Sequence, residues 1–370
     1  MELLKKENFS STINGAAVKL FTLRNKNGCV AQFTNYGARW LCMWVPDRNG
    51  KWDDVILGFD NINDYLTAKE KYYGAVIGRV CGRIGGAQFS LNGIRYSLSE
   101  NDIFGKPVKN HLHGGINGFS FRVWDAEVAK NKDGEESLAL HYFSKDREEG
   151  YPGNLEVKVT YTLSDDNAIH IRYTAGCDRP TVINLTNHAY FNLSGNMEQS
   201  VVEHSLFINA AKAIECNEEL IPTGKIVSIK NTPLDFMQPA TIGLRIHENV
   251  PGQLFAGKGY AVTYILNPSG ETAPLSARVT EKKSGRALEV YTTQTCLQLY
   301  NAWLFDGSDT GKNGCRYHSG AGLALETQGY TDAPNHSGFP PVSLTPGREY
   351  NQQTIYKFLV QPDAQTIPLL

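Results

Sequence analysis

The sequence predicts an all-β protein, a large antiparallel sandwich. Hydrophobic alternation with a period of two recurs from one end of the chain to the other, glycine and proline fall mainly between the alternating runs, and helical periodicity is sparse. The segment LEVKVTYTL (155–163) puts Leu155, Val157, Val159, Tyr161 and Leu163 on one side and Glu156, Lys158, Thr160 and Thr162 on the other, the pattern of a half-buried antiparallel strand. AIHIRYTA (168–175) repeats the pattern after the turn residues SDDN and makes a hairpin with it. LSARVTEK and ALEVYTTQ flank a second turn, KSGR at 283–286. FRVWDAEVA, SLALHYFS, HSLFINA and YAVTYIL add further runs rich in β-branched and aromatic residues. The helical candidates are short and cluster near NINDYLTAKEKYY (61–73).

No Pro/Ser linker, charge run or fixed-period repeat divides the 370 residues. Sandwiches can exceed the usual domain size as one unit, so residues 1–370 are expected to form a single domain, with two side-by-side sandwiches as the alternative. With 41% hydrophobic residues the chain can bury a large core. Its 36 basic and 38 acidic side chains leave a formal charge of -2 with no basic block, which removes the electrostatic basis for nucleic acid or an anionic membrane as partner. A small neutral ligand fits better. Neither a secretory h-region nor a stretch near 18 apolar residues is present, so a cytoplasmic location is expected. The seven cysteines are scattered without a C-x-x-C pair and read as reduced, mostly buried thiols.

Four segments place polar groups where strands should be apolar, or beside glycine. In GRVCGRIGGAQFSLNG (78–93), Arg79 and Arg83 lie four apart among glycines; one guanidinium can reach a ligand hydroxyl, and a structural salt bridge explains it equally well. In HLHGGINGFSFRVWDA (111–126), His111 and His113 would face the same side of a strand. That spacing can chelate a metal, but no third ligand is visible nearby and a simple turn explains the glycines. In NLTNHAYFNLSG (184–195) an alternation continuing from TVINL places His188 on a strand or its end; a satisfied core histidine is the bland explanation. In LALETQGYTDAPNHSGFP (323–340) an apolar run stops at Glu326. This carboxylate either neutralises a partner or, with its pKa raised by burial, serves as a base.

Together with YTTQTCLQLYNAWL (291–304), these blocks resemble the aldose 1-epimerases, or galactose mutarotases, in order and spacing over roughly residues 15 to 360. The resemblance implies a one-domain β-sandwich that interconverts the α and β anomers of free sugars, with no cofactor and no metal. By motif position His188 is the implied general acid and Glu326 the general base. Arg83, His113 and Gln294 are the implied substrate-binding residues. Tyr190, Phe191, Tyr291 and Tyr300 can offer apolar faces to a sugar, although most are expected in the core. Two departures stand out: Gly82 occupies a position where the family usually has Asn, and Ala261, in GKGYAVTYILN, one where it usually has Asp. Loss of a hydroxyl-binding carboxylate predicts a higher KM or a changed sugar preference with proton transfer intact. A sugar-binding relative without turnover, or an epimerase of a modified sugar, is the alternative.

Overall fold

The computed structural model describes residues 1–102, 109–130, 134–255 and 257–362. The larger of its two main antiparallel sheets has nine strands, in spatial order Asp125–Lys130, Glu136–Ser144, Leu155–Leu163, Ala168–Cys177, Tyr350–Val360, Arg286–Thr292, Leu275–Thr280, Ser205–Ile208 and Ala240–Thr241. Both hairpins expected from alternation form, with Leu163 opposite Ile169 and Thr280 opposite Ala287. Tyr350–Val360 joins them by pairing with Ala168–Cys177 on one side and Arg286–Thr292 on the other.

The second sheet runs Tyr190–Phe191, Leu323–Gln328, Cys296–Tyr300, Gly259–Leu266, Ala210–Cys216 and Pro222–Ser228, with Leu254–Phe255 paired alongside Gly259–Leu266. Its side chains alternate between two environments, as a strand requires. Val262, Tyr264, Leu297, Leu299, Leu323 and Leu325 join Val159, Ile171, Val290 and Tyr356 of the larger sheet in one apolar core. Burying each such side chain stabilises the fold by about 1.5–3 kcal/mol. The Tyr356 hydroxyl donates to the Leu325 carbonyl at 2.8 Å and ties the layers together. The opposite face therefore carries Ala261, Thr263, Gln298, Tyr300, Glu326 and Gln328. A slip of one residue would exchange the two sets, so the packing of the leucines fixes where Glu326 points.

The helix predicted within 61–73 is confined to Ile62–Thr67, capped by the Asn61 side chain accepting from the Asp64 N–H at 3.0 Å. It ends because the next free N–H groups, of Lys69 and Glu70, donate to the Asp309 carboxylate instead. The alternation running into His188 does not make a continuous strand. Thr181–Val182, Thr186–Asn187 and Tyr190–Phe191 are separate two-residue pairings, each with a different partner. His188 lies in the break between the last two.

Gly114 shows why the HGG segment is written with glycine. Its φ is +84°, and a Cβ there would sit 1.8 Å from the Gly78 carbonyl oxygen. A left-handed backbone position and a backbone clash both penalise any side chain. Gly114→Ala is expected to cost about 2–4 kcal/mol by overpacking and strain; a melting temperature unchanged from wild type would contradict this placement.

Candidate active site

A cleft of about 500 Å³ opens on the polar face of the second sheet. Cross-strand register builds its floor. Thr263, Gln298 and Glu326 are directly opposite one another in one row, and Ala261, Tyr300 and Ala324 in the neighbouring row. With strands about 4.8 Å apart, Glu326 and Thr263 lie roughly 10 Å apart across the sheet, room for one pyranose ring between the reach of their side chains. His188 enters from the adjacent strand break, and its Nε2 lies 3.5 Å from Glu326 Oε1. Both side chains line the cleft.

Tyr72 stacks on His188 with ring centroids 5.9 Å apart, and its edge contacts His113 at 4.6 Å. Arg83 grips Asp102 with two hydrogen bonds, Nε to Oδ2 at 2.7 Å and Nη2 to Oδ1 at 3.3 Å. The bidentate fork holds the guanidinium plane at the cleft wall. Asp102 is fully enclosed, while Arg83 keeps a face toward the cleft.

Burial shapes the proton inventory. It drives His188 down to about 3, helped by the positive charge of Arg39. It drives Glu326 up to about 8, with Glu70 adding to the rise and Arg83 opposing it. His113 is held well below the usual histidine range by burial and by the nearby His188 and Arg83. At neutral pH the His188–Glu326 pair thus carries one proton between two groups. Glu326 Oε2 and His188 Nδ1 are buried with no hydrogen-bond partner among the described residues, so polar capacity stands ready for a ligand.

The donor atoms of His113, His188 and Glu326 lie within 4.8 Å of one another, which raises the question of a metal. The Gly82 N–H donates to His113 Nδ1 at 3.2 Å, so in the neutral ring the proton sits on Nε2. A metal-binding histidine shows the reverse, with its second nitrogen donating outward. His113 is therefore set up as an Nε2–H donor, the form that suits a sugar hydroxyl. His111 does not join it, contrary to the same-side expectation. The strand ends at Leu112, His113 turns to φ +52°, and His111 bonds to the Tyr151 hydroxyl and the Ser99 carbonyl.

The structure brings Arg83, His113, His188 and Glu326 to one cleft and leaves Gln294 out. Gln294 follows the end of Arg286–Thr292, where its side-chain amide bonds to Gln352 and to the Tyr350 hydroxyl. Gln298, four residues later, takes the place expected of it, bonded to the Thr263 hydroxyl at 2.5 Å. Its signal was present in CLQLY, a lone amide alternating with buried leucines. Arg79 is structural, donating to Pro152, Gly153, Thr181 and Ser144. Of the four aromatics, Tyr190 and Tyr300 line the cleft, Phe191 is core and Tyr291 bonds to Glu289. Asp102 and Tyr72 carry no signal of their own in the sequence, because their contacts with Arg83, His113 and His188 arise only when distant segments meet.

The family model for aldose 1-epimerase matches residues 19–357. The chain is 40% identical to galactose mutarotase of Bos taurus over 326 residues, 88% of this chain and 90% of that protein. It is 38% identical to aldose 1-epimerase of Haemophilus influenzae over 350 residues, 93% and 97% of the two. The crystal structure of an aldose epimerase homologue from C. elegans superposes with a TM-score of 0.82 at 31% identity, covering 94% of this chain and all of that one. On these matches the chain belongs to the aldose 1-epimerase family.

Proposed function

We propose that this protein is an aldose 1-epimerase that opens and recloses the pyranose ring of free aldoses, galactose and glucose among them, with His188 and Glu326 as the proton-transferring pair. The observation that carries the assignment is their 3.5 Å approach on the floor of a cleft large enough for a sugar. Opening a cyclic hemiacetal removes a proton from the C1 hydroxyl and delivers one to the ring oxygen. Glu326 takes the first and His188 gives the second; rotation about C1–C2 turns the aldehyde, and the same groups return the protons on closure.

One proton suffices for the pair throughout the cycle. In the empty cleft burial favours the form without charges; with substrate bound, Arg83 stabilises the Glu326 carboxylate, and the imidazolium of His188 is stabilised by that carboxylate 3.5 Å away and by the ring oxygen it donates to. His113 Nε2–H, Arg83 and Gln298 supply donors to the remaining hydroxyls. Ala261 borders the cleft at the end away from the pair, so the hydroxyl there meets no carboxylate from that position. A raised KM or a shifted sugar preference is the expected consequence. Seven free cysteines, five of them buried, suit a reducing compartment and support a cytoplasmic location. The core that links Leu23 to Phe358 supports reading residues 1–370 as one domain.

Polarimetry on freshly dissolved α-D-galactose and α-D-glucose tests the activity, and its pH dependence tests the pair. Because kcat/KM reports the free enzyme, it should be flat from about pH 5 to 7 and fall above about 8 as the shared proton is lost. Sugar binding without acceleration over buffer would favour a non-catalytic relative. A kcat/KM that climbs through pH 9 would remove Glu326 and His188 from their roles.

A further inference from the structure

Beside Gln298 the cleft is lined by three buried polar side chains with no part in the scheme above, Thr263, Gln328 and Thr331. They form one chain of hydrogen bonds, and its sense is fixed at both ends. At one end Cys81, a thiol that burial keeps protonated, donates through Sγ to Gln328 Oε1 at 3.3 Å. Gln328 Nε2 in turn donates to Thr331 Oγ1 at 2.8 Å. At the other end Gln298 Nε2 approaches the Leu299 carbonyl at 3.5 Å, a group that only accepts, so Oε1 is the atom turned to the Thr263 hydroxyl at 2.5 Å. The single hydroxyl hydrogen of Thr263 is used there, and the 3.2 Å bond between the threonines therefore takes its hydrogen from Thr331. Gly82 makes room for this arrangement: a Cβ at that position would sit 3.1 Å from Thr331 Cγ2 and 3.3 Å from its Oγ1.

We propose that Thr263 and Thr331 are positioning residues that hold the Gln298 amide by its oxygen and present its second N–H to one sugar hydroxyl, on a wall where Gly82 and Ala261 bring no polar side chain. This rests on the reading of the cleft as a sugar site with Gln298 as a donor. An unanchored glutamine has to be ordered as the sugar binds, and its amide is free to turn either end toward the ligand. A chain already in place removes both costs. The hydroxyl held here takes no part in proton transfer, so the gain lies in binding and is the same before and during ring opening.

Thr263→Val keeps the shape of the side chain and removes its hydroxyl. KM for galactose should rise about 3- to 10-fold, the worth of one hydrogen bond, with kcat within about twofold of wild type and the pH profile in place. Thr331→Val should act in the same direction and more weakly. Thr263→Ser and Thr331→Ser keep the hydroxyls and should restore KM to within about twofold. Galactoses lacking one hydroxyl at a time locate the contact: a deletion that raises KM in wild type should have no further effect in Thr263→Val when it removes the hydroxyl that Gln298 binds. Valine variants with wild-type KM, serine variants as impaired as the valine ones, or deletions that act equally in both proteins overturn the proposal. Gln298→Ala separates this from the reading beneath it. An unchanged KM there removes Gln298 as a donor and the proposal with it, whereas a raised KM beside normal valine variants strikes the proposal alone.

Discussion

Glu326→Gln is expected to lower kcat for anomer exchange by about 10²- to 10⁴-fold and, in the same protein, to raise thermal stability on the alkaline side. Both effects come from one buried carboxyl. The glutamine has nearly the same shape and can fill the same space opposite Gln298, but it cannot accept the C1 proton. For stability, the folded protein holds the Glu326 proton up to about pH 8, whereas an unfolded chain releases it near 4.5. Between those values the folded state binds more protons, so stability falls as pH rises through the window and stays low above it. Removing the ionisable group removes that loss, an upper bound of a few kcal/mol, and the melting temperature of the variant should exceed wild type at pH 9 and match it at pH 4.5. Near-normal turnover, measured by polarimetry, would reject Glu326 as base; equal melting temperatures at pH 9 would reject its burial as an uncharged acid.

What the sequence made legible follows from how each feature is encoded. Strands with one face in the core announce themselves by alternation, so the hairpins around 155–175 and 275–292 are readable from the sequence. The strand order was not, because Tyr350–Val360 bridges those hairpins from the far end of the chain. Short irregular pairings carry no period, so the alternation from TVINL leaves His188 open between a strand and its end, and the structure puts it just past the end of one short pairing and before the next. The positive φ of His113 sends it away from His111, and nothing in HLHGG distinguishes that turn from a strand end.

The site was legible as blocks and less so as residues. Arg83, His113, His188 and Glu326 each stood beside glycine or within apolar runs, where a polar group needs a reason. Gln294 is implied by motif position alone, whereas the alternation in CLQLY puts Gln298 on the face opposite Leu297 and Leu299. Asp102 owes its importance to a partner 19 residues away, Arg83, and Tyr72 to His188 and His113, which reach it from other segments. Such pairings are a property of the folded sheet edges, and local pattern does not record them.

His188→Asn should mirror the glutamate variant in both activity and stability, with the pH sign reversed. Asparagine can still donate a hydrogen bond into the cleft but cannot deliver a proton to the ring oxygen, so kcat should drop by about 10²- to 10⁴-fold. The folded state keeps His188 neutral down to about pH 3, whereas an unfolded histidine takes up its proton near 6.5. Between these values the unfolded chain binds more protons, and stability therefore falls as pH is lowered through the window. His188→Asn should then be more stable than wild type at pH 4.5 and equal to it at pH 9, the opposite of Glu326→Gln. Because the two groups work on one shared proton, losing both should cost little more rate than losing either. A double variant whose rate loss is the product of the single losses would show two independent groups, and the single-proton pair would have to be abandoned.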